Sequence, residues 1–186
     1  MRLKIPLLFC FCLSLHLGAA ECNVFRPVPI RLINEAAVPA NVAIAARREA
    51  AYILKSLCVD VEWTADLSTK ALEIHITDAP IGPEITNRSL GVTFFKANRD
   101  NRGTIFLSRV RALQAPYASR IELGRLLGCV LTHEIGHLLL NTKAHSPEGI
   151  MVAHFGKAEI ERAAQRRLTF IRPDREKFLG RQLARF

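Results

Sequence analysis

His133-Glu134-Ile135-Gly136-His137 lies in an apolar stretch that reads as one long helix. Histidines four residues apart on a helix project from one face about one turn apart, so both imidazoles can reach one metal ion. The carboxylate of Glu134 then lies beside the metal rather than on it, where it can take a proton from a metal-activated water. Two histidines do not complete a catalytic zinc site, which takes three protein ligands and leaves a position for water. The third ligand has to come from further along the chain.

Upstream, Ser119 and Glu122 have the S-x-x-E spacing of a capping box ahead of the apolar run. Gly124, Gly128, Thr132 and Gly136 recur every four residues and make a stripe of small side chains. An interior glycine costs a helix about 1 kcal/mol relative to alanine, so the stripe predicts close approach of a neighbouring backbone. Arg120, Glu122, Arg125 and Glu134 share this segment and exclude a membrane-dimer reading of it. Cys129, one turn before His133, reads as a small core residue.

Downstream, the candidates for a third ligand are His145, His154, Glu148, Glu159 and Glu161. Asn141 tolerates the left-handed conformation that ends a helix. A stop there would return Thr142-Lys143-Ala144 beneath the helix and bring His145 to the metal. Ser146-Pro147-Glu148-Gly149-Ile150-Met151 would then form a turn below it, with Gly149 supplying the tight bend.

With these residues the chain resembles the metzincin clan of zinc endopeptidases, whose pattern is HExxHxxGxxH followed by a methionine-bearing turn. His145-Ser146 is similar to the matrixin branch, which has a serine after the third histidine. Leu140 stands where the family has glycine and Lys143 where it has histidine. The helix stop therefore moves to Asn141 and the third histidine to His145. The resemblance spans roughly Pro29 to Gly156. It implies a secreted zinc-dependent endopeptidase with one catalytic Zn²⁺ on His133, His137 and His145, Glu134 as general base, and Met151 as an apolar floor. The substrate would be a peptide or protein, laid along the edge of strand 103–110. The alternatives are a gluzincin-like peptidase with Glu159 or Glu161 as third ligand, and a non-catalytic zinc-stabilised protein that binds the cell envelope. Glu159 and Glu161 also read as surface charge paired with Arg162 and Arg166. His75 and His154 read as ordinary histidines, His154 with a second reading as a donor to the substrate oxyanion.

The rest of the chain alternates in type. Strands are expected at 29–34, 59–64, 72–77, 90–95 and 103–110, and a helix from Asn41 to about Leu57 with Val42, Ala45, Ala51, Leu54 and Leu57 inward. Gly82-Pro83 begins a loop and Asn98 to Arg102 is turn-rich. The expected fold is α/β (α+β): a twisted mixed sheet with two helices over it, the long motif helix, a methionine turn and a small helical C-terminal part.

At the N-terminus, Arg2 and Lys4 precede an apolar run from Ile5 to Leu17, and Gly18-Ala19-Ala20 offers small residues for cleavage. Residues 1–20 read as a secretory signal and 21–186 as a single catalytic domain, secreted or periplasmic, with no further membrane span. Loss of Arg2 and Lys4 would lower the net charge from +9 to +7. Cys22, Cys58 and Cys129 would remain, with three possible pairings, of which Cys22–Cys58 would pin the N-terminus. Too few residues separate Glu21 from Pro29 for an inhibitory domain. Cys22 is the one soft ligand there that could block a metal. The basic tail, with Arg172, Arg175, Lys177, Arg181 and Arg185, reads as the solvated face of a helix. It lacks the interleaved aromatics of a nucleic-acid site, and no nucleic-acid partner is expected.

Overall fold

The computed structural model describes residues 27–79, 88–95 and 101–183. The signal segment 1–20, Cys22, the Gly82-Pro83 loop and Arg185 lie outside the described residues. So does most of the turn at Asn98 to Arg102, of which only Asn101 and Arg102 are described.

Five strands and five α-helices follow one another as β1 (Val28–Asn34), α1 (Ala40–Leu54), β2 (Val61–Trp63), β3 (Leu72–Thr77), β4 (Gly91–Phe94), β5 (Arg102–Phe106), α2 (Leu107–Gln114), α3 (Leu123–Leu140), α4 (Lys157–Ala164) and α5 (Arg172–Leu183). The sheet order is β2-β1-β3-β5-β4. All neighbours are parallel except β4, which runs antiparallel to β5, with Gly91 opposite Ile105 and Thr93 opposite Gly103. Ile30, Ile74, Ile76 and Ile105, all fully buried, send their side chains into the core beneath α1 and α3. Arg31 and Glu73 are opposite in register and pair directly, and His75 bonds Glu35 through Nδ1 at 2.8 Å. His75 is thus engaged away from the motif helix. Among the described residues no helix is long and apolar enough to cross a membrane.

Several boundaries differ from those expected. The last strand stops at Phe106, and Leu107–Gln114 is helix rather than the end of strand 103–110. The backbone N–H and hydroxyl of Ser108 both donate to the Asp78 carbonyl, which turns the chain out of the sheet. β5 lies between β3 and β4, so among the described residues the sheet edge beside the motif helix is β4, not the strand at 103–110. The Ser119–Glu122 capping box does not form. A 3-10 turn at Ala115–Tyr117 carries the chain forward, and α3 begins at Leu123 with Glu122 as a cap that makes no side-chain bond. Helix α1 starts at Ala40, before Asn41, and ends in a 3-10 turn at Lys55–Leu57.

The inward residues of α1 are Ala46, Glu49, Ala50, Ile53 and Leu54. Glu49 is a buried carboxylate lying 3.3 Å from Arg166 Nε and 3.9 Å from Arg125 Nε. Burial raises its pKa even though both arginines act to lower it. The small-residue stripe on α3 explains why the two helices meet so closely. A Cβ on Gly128 would lie 2.7 Å from the Ala46 carbonyl oxygen, and one on Gly124 would lie 3.0 Å from that of Val42. Cys58 is disulfide-bonded, and Cys129 is buried with a free thiol whose pKa burial pushes well up. Cys22, the expected partner of Cys58, is outside the described residues.

This packing makes two glycines respond oppositely to one methyl group. Gly128→Ala forces α1 off α3 and is expected to destabilise by about 1–3 kcal/mol. Gly180→Ala in α5 meets nothing within 4 Å and should stabilise by about 0.4–1 kcal/mol. Urea-denaturation midpoints of the two variants would show it, and equal shifts would refute the close approach.

Candidate metal centre

Helix α3 ends where Asn141 takes the left-handed conformation, φ +45°, and its N–H and that of Thr142 close back on Leu138 and His137. The chain then passes beneath the helix end. His137 donates from Nδ1 to the Thr142 carbonyl, and His133 donates from Nδ1 to the Ile150 carbonyl, both at 2.8 Å. Carbonyl oxygens only accept, so each Nδ1 carries the hydrogen and each Nε2 of a neutral ring is a bare lone pair. These two Nε2 atoms are 3.0 Å apart.

Two acceptors facing one another repel unless a proton or a metal cation sits between them. Protonation is disfavoured. Burial and the neighbouring His137 push His133 down to about 3, and burial pushes His137 down to about 4. His145 joins them from the loop, its ring centroid 5.3 Å from that of His133 and 4.9 Å from that of His137. Its pKa is lowered by partial burial and by His154. One nitrogen of each of the three rings lies within 4.8 Å of the others, a grouping that could hold a metal ion. The donor set fits such an ion: three neutral nitrogens, two of them oriented through their second nitrogen by backbone carbonyls.

The turn after His145 is fastened at several points. Ser146 N–H bonds the Met151 carbonyl at 2.8 Å, Ile150 N–H bonds that of Thr169 at 2.9 Å, and Gly149 supplies φ +80°. The Ser146 hydroxyl donates to Asp174 at 2.6 Å, tying the residue next to His145 to α5. Met151 is 1% exposed and packs on α3 at Gly136, where a Cβ would lie 2.5 Å from its Sδ and 3.0 Å from the Phe170 ring.

Glu134 points at the sheet. Its Oε2 accepts from the Thr93 hydroxyl at 2.7 Å, and both residues are buried. A Cβ on Gly91 would lie 2.5 Å from Glu134 Oε1, and one on Gly103 would lie 3.0 Å from its Cβ. The carboxyl occupies a slot that exists because these two strand residues have no side chain. Burial pushes its pKa up to about 8, against the pull of Thr93. Before the slot opens a cleft of about 460 Å³ lined by Leu90, Val92, Phe94, Val130, Val152 and Phe155 together with the polar groups.

Sequence reasoning missed Thr93, Gly91 and Gly103. A signal was present, because Gly91 and Thr93 alternate on one face of a short strand with room for a foreign side chain. Asp174, which lies within the stretch that reads as a solvated basic tail, was also missed; it is buried. His154 lines the cleft but stands outside the histidine cluster. Glu159 accepts from Gly156 N–H at 2.9 Å and pairs with Arg162, while Glu161 lies 3.8 Å from Arg120 and 4.0 Å from Lys157. Among the described residues neither glutamate joins the histidines, and the glutamate-ligand alternative loses its geometry. Glu148, the remaining candidate, is likewise outside the cluster.

Comparison with known proteins found no matching family model, curated protein or solved structure.

His145→Ala is therefore expected to weaken divalent-metal binding by more than about a hundredfold, and Glu159→Ala or Glu161→Ala to leave it near the parent value. Calorimetric titration with Zn²⁺ and Co²⁺ would measure it; the reverse order would return the third position to a carboxylate.

Proposed function

We propose that this chain is a secreted zinc-dependent endopeptidase of metzincin-like architecture, with His133, His137 and His145 as metal ligands and Glu134 as general base. One observation carries it: bare imidazole nitrogens converge beside a buried carboxylate at the wall of an open cleft. A purely structural zinc site needs no base, and it is closed by four ligands rather than three. The antiparallel edge strand, the packing of α3 on the sheet with α1 against it, and the turn that buries Met151 agree with the architecture. The zinc-stabilised envelope-binding alternative has no comparable support. Export rests on residues 1–20 as a signal.

When bound, zinc supplies a Lewis acid that polarises a peptide carbonyl and acidifies a water. In its ionised form Glu134 would take a proton from the attacking water and pass it to the leaving amine; with its pKa pushed up to about 8, that form grows as the pH rises. Thr93 holds Oε2 in place, leaving Oε1 beside Gly91 to exchange the proton. The free side of β4 offers main-chain groups to an extended peptide. Asn141, Ser146 and Asp174 hold the loop that presents His145.

The purified protein is expected to bind one Zn²⁺ per chain and to hydrolyse peptides. Glu134→Gln should keep the metal and the fold while lowering kcat by about 10²–10⁴-fold. Metal analysis and peptide turnover decide this: undiminished turnover in Glu134→Gln would assign the base elsewhere, and absence of bound metal would end the peptidase reading.

Thr93→Val keeps the shape and removes the donor. A hydrogen bond to a charged group is worth about 1.5–3 kcal/mol, so kcat should fall by about tenfold or more with KM and zinc content little changed. Thr93→Ser should restore most of the loss. A valine variant as active as the parent would reduce Thr93 to a packing residue.

A further inference from the structure

The cleft does not end at the histidines. Arg88, Leu90, His154 and Phe155 line both it and a second hollow of about 480 Å³, so the two are continuous. The described residues of this groove are uneven in charge. Its acids are Glu134, held by Thr93, and Glu159, held by Arg162 and the Gly156 N–H. Arg88 and Lys143 are exposed and make no ion pair among the described residues. Lys143 lines the cleft alongside His145, and Arg88 lines the stretch shared by cleft and hollow. The same cleft has apolar lining, which includes Val130 of α3 and Val152 and Phe155 of the segment after His145.

Apolar walls bordered by uncompensated cations focus a positive potential on whatever lies between them. The chain has the same sign, +9 over the full sequence and +7 without Arg2 and Lys4 of the signal segment, so long-range attraction and local contacts favour the same ligands. Basic flanks on a substrate would meet like charge at both places, and acidic flanks would find a partner.

Resting on the peptidase reading above, we propose that the groove selects acidic peptides: a large apolar side chain seats among Val130, Val152 and Phe155, and flanking carboxylates reach Lys143 and Arg88. The selection is made in binding, before any bond is broken, and it weakens as salt screens the exposed cations.

Two fluorescent eight-residue peptides test this, identical except for glutamate or lysine flanks around a central leucine. The zinc-loaded protein should cleave the glutamate peptide with about tenfold higher kcat/KM at low salt, in keeping with two exposed ion pairs of modest strength. The double variant Arg88→Glu, Lys143→Glu should abolish or invert that ratio. Binding to Glu134→Gln by fluorescence anisotropy, with and without zinc, reads the same preference in the absence of turnover. Equal cleavage of both peptides, or a ratio that survives the double variant, overturns the proposal and leaves the peptidase standing. Preferential binding of the glutamate peptide with no cleavage by the parent chain does the reverse: the groove selects acid, and the peptidase reading falls. Neither cleavage nor binding of either peptide sinks both.

Discussion

Fourteen of the eighteen residues of α3 are buried, and the side chains buried with them include groups that cannot be left without partners. A polar group taken from water without a hydrogen bond costs about 2–7 kcal/mol depending on the reference state. Each polar side chain on the inner part of α3 therefore recruits a neighbour. Thr132 bonds back to Gly128, Glu134 takes the Thr93 hydroxyl, His133 takes the Ile150 carbonyl and His137 that of Thr142. Three of these four partners lie on other elements: the edge strand, the segment just past the helix end and the turn before Met151. The positions of those elements follow from what the helix needs to have satisfied.

Close packing enforces the same arrangement from the other side. Gly124 and Gly128 let α1 approach, and Gly136 admits Met151 and Phe170. Thr132, between them, spends its hydroxyl within the helix and adds no bulk. The stripe thus serves two neighbours in succession, the sheet-covering helix along its first half and the methionine turn at its end. Gly91 and Gly103 repeat the device on the sheet, where a missing side chain usually weakens a strand. Here the lost packing is replaced by the side chain of Glu134.

The motif helix, its end at Asn141 and the need for close contact along its glycines were legible because each depends on local chemistry: i,i+4 spacing, a residue that tolerates positive φ, and the cost of interior glycine. The boundary at Phe106 was not. Gly103 to Val110 alternates well enough for a strand, yet Leu107 and Val110 also have helical spacing and are both fully buried. The Ser108 bonds to Asp78, a residue distant in the chain, mark where the strand gives way to helix. The burial of Glu49 was hidden for the same reason, since its arginine partners come from α3 and from the segment after α4. The choice of edge strand needed the sheet order, which no local pattern carries. His145 was legible as a candidate through its place after the helix stop; Thr93 needed the pairing of β4 with β5 before its hydroxyl could be seen to face α3.

The three histidines are not equivalent, and the difference lies in what holds each. His133 and His137 are fixed by a helix and by a carbonyl each, and desolvation keeps both neutral without help from outside. His145 is exposed on a loop, and no hydrogen bond orients its ring among the described residues. Its backbone neighbour supplies what the ring lacks: Ser146 is bound through its N–H to Met151 and through its hydroxyl to Asp174 on α5. A metal ion would therefore meet two preset nitrogens and one carried on a tethered loop, so closing the site costs the ordering of one side chain rather than three. That places the final ordering step at the solvent-facing ligand. It also adds a polar anchor to the C-terminal helix, which packs into the core through Phe178: its buried Asp174 holds the segment from which the third nitrogen is presented.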